Sequence, residues 1–155
     1  MDFLSLIIYF LIIIPSAIFH EYLHAWVADQ LGDPTARQAG RLTLDPRPHI
    51  DPWGTIIMPF LLFIASGGRF VFGYAKPVPF NPYQLNNKRW GPLCVAVAGP
   101  LSNLLLAFLF GLAVQFSQSE SAAALLSMIV YINVVLAVFN LVPIPPLDGS
   151  KVLYA

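Results

Sequence analysis

The chain has 155 residues, of which 57% are hydrophobic and only 10% charged, and its mean hydropathy is +0.71. That leaves too little polar surface to wrap a soluble globule of this length, so the composition is that of an integral membrane protein whose constant partner is the lipid bilayer. Basic and acidic residues cancel to a formal charge of zero, and without a basic block to neutralise a row of phosphates, nucleic acid is not an expected partner.

The first apolar run begins at Phe3, and counting to Trp26 gives 24 residues, enough for a full transmembrane helix with Pro15 as a candidate kink. A basic n-region and a small-residue cleavage site are missing, so the run reads as a retained span and not a signal peptide. His20-Glu21-Tyr22-Leu23-His24 lies in its second half. Two imidazoles four residues apart on a helix share one face and can grip one Zn²⁺, and the carboxylate between them is placed to handle the proton of an attacking water. Ionisable groups in hydrocarbon are costly and are seldom kept there without a partner or a function.

After Gly32-Asp33-Pro34 ends this helix, Gly40-Arg41-Leu42-Thr43-Leu44 alternates like a short strand until Asp45-Pro46 breaks it. His49 in the same loop reads as a solvated histidine. The next apolar stretch, Trp53 to Ser66, offers only 14 residues, with Pro59 inside and Gly67-Gly68 behind it, which suits a re-entrant segment better than a span. Both of its flanks are basic, with Arg37, Arg41 and Arg47 before it and Arg69, Lys76, Lys88 and Arg89 after it. If basic loops stay cytoplasmic, the segment dips without crossing. Tyr74 to Phe80 cannot be helical, because each proline of Lys76-Pro77-Val78-Pro79 pushes its predecessor toward extended geometry. It reads either as a plain connector or as a membrane-edge strand able to pair with an unfolded peptide.

Pro92 to Phe116 and Ala122 to Leu147 contain no charged residue and are long enough to cross. The polar loop Ser117 to Ser121 joins them into an antiparallel hairpin. Cys94 is the only cysteine, so no internal disulfide can form, and its apolar surroundings suggest a small buried hydrophobe. Asn103 and Asn133 are expected to hydrogen-bond between helices, whereas Asn140 stands beside the break Pro143-Ile144-Pro145-Pro146 that leads to Asp148. The fold class is therefore all-α: a polytopic membrane helix bundle with a short re-entrant segment and small extended or β pieces at the cytoplasmic membrane edge.

Two histidines leave a catalytic zinc short of ligands, since such sites take three protein donors plus water and the third is often a carboxylate. Asp148 is the best candidate. With the first span running inward, the 53–66 segment not crossing and the hairpin going out and back, Asp148 arrives on the same side as His24. The alternative for Asp148 alone is a turn residue before Gly149.

His20-Glu21-Tyr22-Leu23-His24, Gly99-Pro100-Leu101-Ser102-Asn103 and Asn140 through Asp148-Gly149 together resemble the site-2 protease family of intramembrane zinc metalloproteases. Gly32-Asp33-Pro34-Thr35-Ala36, Gly73 through Pro79 and Leu147-Asp148-Gly149 resemble its compact prokaryotic branch. The resemblance implies that His20, His24 and Asp148 hold one Zn²⁺, that Glu21 is the catalytic carboxylate and that Asn140 contacts substrate or the developing oxyanion. It also implies a transmembrane protein substrate, cleaved from the cytosolic side of a prokaryotic cell (inner) membrane as regulated intramembrane proteolysis or removal of signal-peptide remnants. Members of the family continue beyond the position of Ala155, so residues 1–155 are read as a single, C-terminally incomplete metalloprotease domain. A non-catalytic zinc-binding membrane scaffold is the alternative, against which the acid between the histidines argues.

Overall fold

The computed structural model describes residues 3–71 and 73–153. Three of its helices are long and apolar enough to cross a bilayer: α1 (Phe3–Gln30), α4 (Gly91–Gln115) and α5 (Glu120–Asn140). Short helices complete the order: α2 (Thr35–Gln38), α3 (Met58–Ala65), which a wider helical turn at Pro52–Ile57 precedes, and α6 (Asp148–Leu153).

Each boundary follows from local chemistry. Asp51 starts the 52–65 segment by accepting the Gly54 N–H at 2.7 Å, with Pro52 at the first position, where a missing N–H costs nothing. Ser119 caps α5 through its hydroxyl. Past the end of α1 the chain turns at Gly32, whose φ of +102° suits glycine, and a Cβ there would also strike the Asn86 side chain. Pro100 lies inside α4 and Pro15 inside α1.

α4 is the central helix, packed between α1 and α5. The seams are built from small residues, which allow the backbones to approach: Ala25 and Ala28 on α1, Ala96, Gly99, Ser102 and Ala107 on α4, Ala137 on α5. Large apolar side chains point away from the bundle instead, among them Leu11, Leu101, Leu105, Phe108, Tyr131 and Val138. That inside-out distribution suits lipid, which solvates Leu as well as a protein core does. At the polar end Ala28, Leu85 and Val95 form a small core with Phe80 against it. Burying Leu85 there contributes about 1.5–3 kcal/mol and ties the 81–90 loop to the helices.

The structure departs from the sequence expectations at several points. No β-strand occurs among the described residues: the expected strand at 40–44 is a series of bends. Its polar groups serve local turns, the Thr43 carbonyl accepting from His49 Nε2 at 2.9 Å and the Thr43 hydroxyl from Asp45 N–H at 3.0 Å. Tyr74–Phe80 is extended but lies in no ladder, its amides bonding singly to the Gly54 and His49 carbonyls. His49 is not a solvated histidine, since only 1% of it is exposed. Cys94 is exposed, not buried. α5 stops at Asn140, well before Leu147, because the proline-rich stretch cannot continue the helix.

Candidate functional site

His20 and His24 lie one turn apart on α1 and both are buried. Each is aimed by α4. His20 Nδ1–H donates to Asn103 Oδ1 at 2.6 Å, and His24 Nδ1–H donates to the Val95 carbonyl at 2.6 Å. Asn103 meets the earlier histidine and Val95 the later, so the two helices run antiparallel. With the Nδ1 atoms engaged, both Nε2 atoms turn inward, where they lie 3.0 Å apart. Gly99 occupies α4 between Val95 and Asn103. A Cβ there would overlap Nε2 of both histidines, so the space in front of the imidazoles exists because this residue has no side chain.

Asp148 closes the cluster. Its Oδ2 lies 3.0 Å from Nε2 of His20 and 3.0 Å from Nε2 of His24. The turn 141–147 brings it there, and Gly149 permits the close approach, because a Cβ at 149 would overlap the Leu141 backbone. The other oxygen, Oδ1, accepts from Lys151 Nζ at 2.9 Å.

Three donor atoms from two ends of the chain thus converge, and this is the group of metal-binding type among the described residues. Their 3.0 Å separations are close to the ~3.3 Å edges of a tetrahedron with metal–nitrogen distances of about 2.0–2.1 Å. Two imidazoles whose Nδ1–H groups are hydrogen-bonded, together with one carboxylate, form a donor set that fits a divalent transition metal.

Glu21 lies between the histidines in sequence but faces a different feature. Its Oε2 accepts the Val78 N–H at 2.9 Å, so the extended 74–80 segment runs across the Glu21 carboxylate. Arg41 holds that segment from the other side, donating from a guanidinium nitrogen to the Lys76 carbonyl at 2.6 Å. Glu21, His24, Val78, Asn140 and Asp148 line one cleft of ≈ 290 Å³. Asn140 is beside the metal donors but not among them, and its Nδ2 donates to the Leu136 carbonyl at 2.9 Å.

Every residue singled out in the sequence for the site therefore lies at this cleft or in the cluster it adjoins. Sequence reasoning missed the parts played by Val95, Gly99, Asn103, Lys151 and the Val78 amide. A backbone carbonyl and a backbone amide leave no trace in side-chain chemistry. Gly99 and Asn103 do leave one: they stand four residues apart, the same interval as His20 and His24, as two facing helices require.

Comparison with known proteins agrees with this arrangement. The model of Peptidase family M50 matches residues 114–155. Over 97% of its length the chain is 39% identical to a Bacillus subtilis protein named "Putative zinc metalloprotease YwhC", of which it covers 69%. It is 35% identical to the Mycobacterium tuberculosis protein Rip2 and 31% identical to the Methanocaldococcus jannaschii protein MJ0611, both named in the same terms, covering 51% and 63% of them. No solved structure matches the chain. A membrane helix bundle with a His-His-Asp cluster, matched over nearly its whole length by such relatives, belongs to peptidase family M50, the site-2 protease family.

Proposed function

We propose that this chain forms the catalytic core of an intramembrane zinc endopeptidase that cuts transmembrane segments of membrane-anchored proteins, including signal-peptide remnants. The observation that carries the reading is the convergence of His20 Nε2, His24 Nε2 and Asp148 Oδ2 within 3.0 Å of one another, at a cleft that Glu21 and Asn140 also line. Zinc held by these three residues would supply Lewis acidity to the scissile carbonyl and to the attacking water.

The chain's own groups supply the rest. Glu21 takes the proton from the attacking water and returns it to the leaving amine. Asn140 has one amide hydrogen on the Leu136 carbonyl and a second free to meet substrate carbonyl or oxyanion charge. A substrate helix must unwind locally to enter, because its peptide bonds are wrapped in their own hydrogen bonds, and Gly or Pro in the substrate eases that step. The relatives' names support zinc as the metal.

The reading includes a topology. The 53–66 segment is re-entrant, which is supported by the 14-residue helical stretch Pro52–Ala65 being shorter than any of the three spans. His24 and Asp148 then open toward the cytoplasmic side, where the Arg- and Lys-bearing loops lie. The deciding experiment is reconstitution of the protein with zinc and a generic transmembrane peptide, with product masses read out beside the Glu21→Gln variant. Cleavage that drops at least ~100-fold in Glu21→Gln at equal zinc occupancy is expected for general-base catalysis. Near-wild-type cleavage by that variant would sink the mechanism, and zinc binding with no cleavage by either protein would favour the scaffold.

A further inference from the structure

His20 and His24 are oriented by different means. His24 is held by a backbone carbonyl, which can only accept, so its proton is fixed on Nδ1. His20 is held by the Asn103 side chain, and an amide can present either its oxygen or its NH₂. If Asn103 turned over, its NH₂ would face His20 Nδ1, that nitrogen would have to accept, and the proton would move to Nε2, in the middle of the donor cluster.

The environment of Asn103 decides between these states. Its Nδ2 donates to Asn133 Oδ1 at 2.9 Å and reaches the Ser16 carbonyl at 3.4 Å. Asn133 in turn donates from Nδ2 to the Ile129 carbonyl at 2.9 Å and to the Ser16 hydroxyl at 3.0 Å. The Ile129 carbonyl cannot donate, so it must face the NH₂ of Asn133. That leaves Asn133 Oδ1 toward Asn103, which turns the Asn103 NH₂ to Asn133 and its oxygen to His20. Both asparagines are fully buried, so no bulk water can substitute for any partner in the chain.

We infer that Asn103 and Asn133 act as a two-amide relay that transmits the polarity of a backbone carbonyl on α5 to the His20 ring on α1, fixing the tautomer in which Nε2 is free to bind metal. Both are positioning residues, and Asn133 works without touching any ligand. The inference rests on the metalloprotease reading above, but its measured quantity is zinc affinity, not turnover.

The test measures zinc affinity of the purified full chain in detergent, by competition with a chromophoric chelator, for Asn103→Leu, Asn103→Asp, Asn133→Leu and the Asn103→Asp/Asn133→Leu double variant. Removing the acceptor in Asn103→Leu should weaken zinc about 10- to 100-fold, the usual cost of losing a partner of a ligating histidine. Asn103→Asp offers only acceptor oxygens to His20 and should bind within about fivefold of wild type or tighter, although it can no longer donate to Asn133. Asn133→Leu should weaken zinc several-fold in the wild-type background and leave it unchanged in the Asn103→Asp background, where no amide needs orienting. A purely helix-packing role predicts the opposite: Asn103→Asp as damaging as Asn103→Leu, and Asn133→Leu equally damaging in both backgrounds. Either result overturns the relay. If a leucine variant fails to fold, the Asn103→Asp affinity decides alone. Should zinc bind the wild type but be indifferent to Asp148→Asn, the metal-site reading fails instead of the relay.

Discussion

Replacing Gly99 with alanine adds a single methyl group in the middle of the bundle, and the structure fixes where it goes. The new Cβ would overlap Nε2 of both His20 and His24. Ordinary contact begins at 3.4 Å, so α1 and α4 must part by roughly 1 Å or both imidazoles must rotate away. Neither movement is free, because the two Nδ1 hydrogen bonds of 2.6 Å join the same pair of helices on either side of residue 99. Overpacking of this kind costs about 1–3 kcal/mol in stability, and displaced ligands should lower zinc affinity by at least ~100-fold, beyond the range for losing an outer partner. Gly111 on the same helix is the control, since a Cβ there meets only Val130 at 3.9 Å and should bring the ~0.5–1 kcal/mol gain in helix propensity that alanine has over glycine. Zinc content and chelator competition on the two purified variants, beside thermal unfolding of the metal-free proteins, separate the effects. Zinc affinity for Gly99→Ala within about twofold of wild type would refute the cradle and with it the placement of the metal between α1 and α4.

Asp148→Asn should weaken zinc binding and activity together, whereas Asp45→Asn and Asp51→Asn should leave zinc in place, because neither residue belongs to the donor cluster; X-ray absorption on the three proteins would reveal whether the carboxylate is lost from the first shell only in the first. Asn140→Ala is expected to lower turnover about 10²- to 10³-fold with zinc content unchanged, and an emptied metal site or an intact rate would remove Asn140 from its assigned role. With Cys94 replaced, cysteines at Arg47 and Lys88 should react with an impermeant reagent from the cytoplasmic side and a cysteine at Ser119 from the other. Labelling of the Arg47 and Lys88 positions from opposite faces would make the 53–66 segment a full crossing.

The parts that the sequence determined by itself are those governed by one-dimensional pattern. Apolar runs of sufficient length become α1, α4 and α5 because hydrocarbon leaves the backbone no other way to satisfy its hydrogen bonds. The four-residue spacing of His20 and His24 puts them on one face wherever that helix lies. Asp148 was legible through the parity of the spans, the helix break at Pro143-Ile144-Pro145-Pro146 and the missing third ligand, and the structure brings its Oδ2 to 3.0 Å from Nε2 of both imidazoles. Tertiary structure alone decided what surrounds them. His49 is buried because the Lys76 amide bonds to its carbonyl and its ring Nε2 bonds to the Thr43 carbonyl, tying it under the 74–80 segment. The extended piece at 74–80 pairs with Glu21 through a backbone N–H, a group every non-proline residue carries and no sequence can flag. The line of Val95, Gly99 and Asn103 came to face the His20, His24 and Asp148 cluster only when α4 packed antiparallel to α1, because a helix face acquires chemistry from the face it meets.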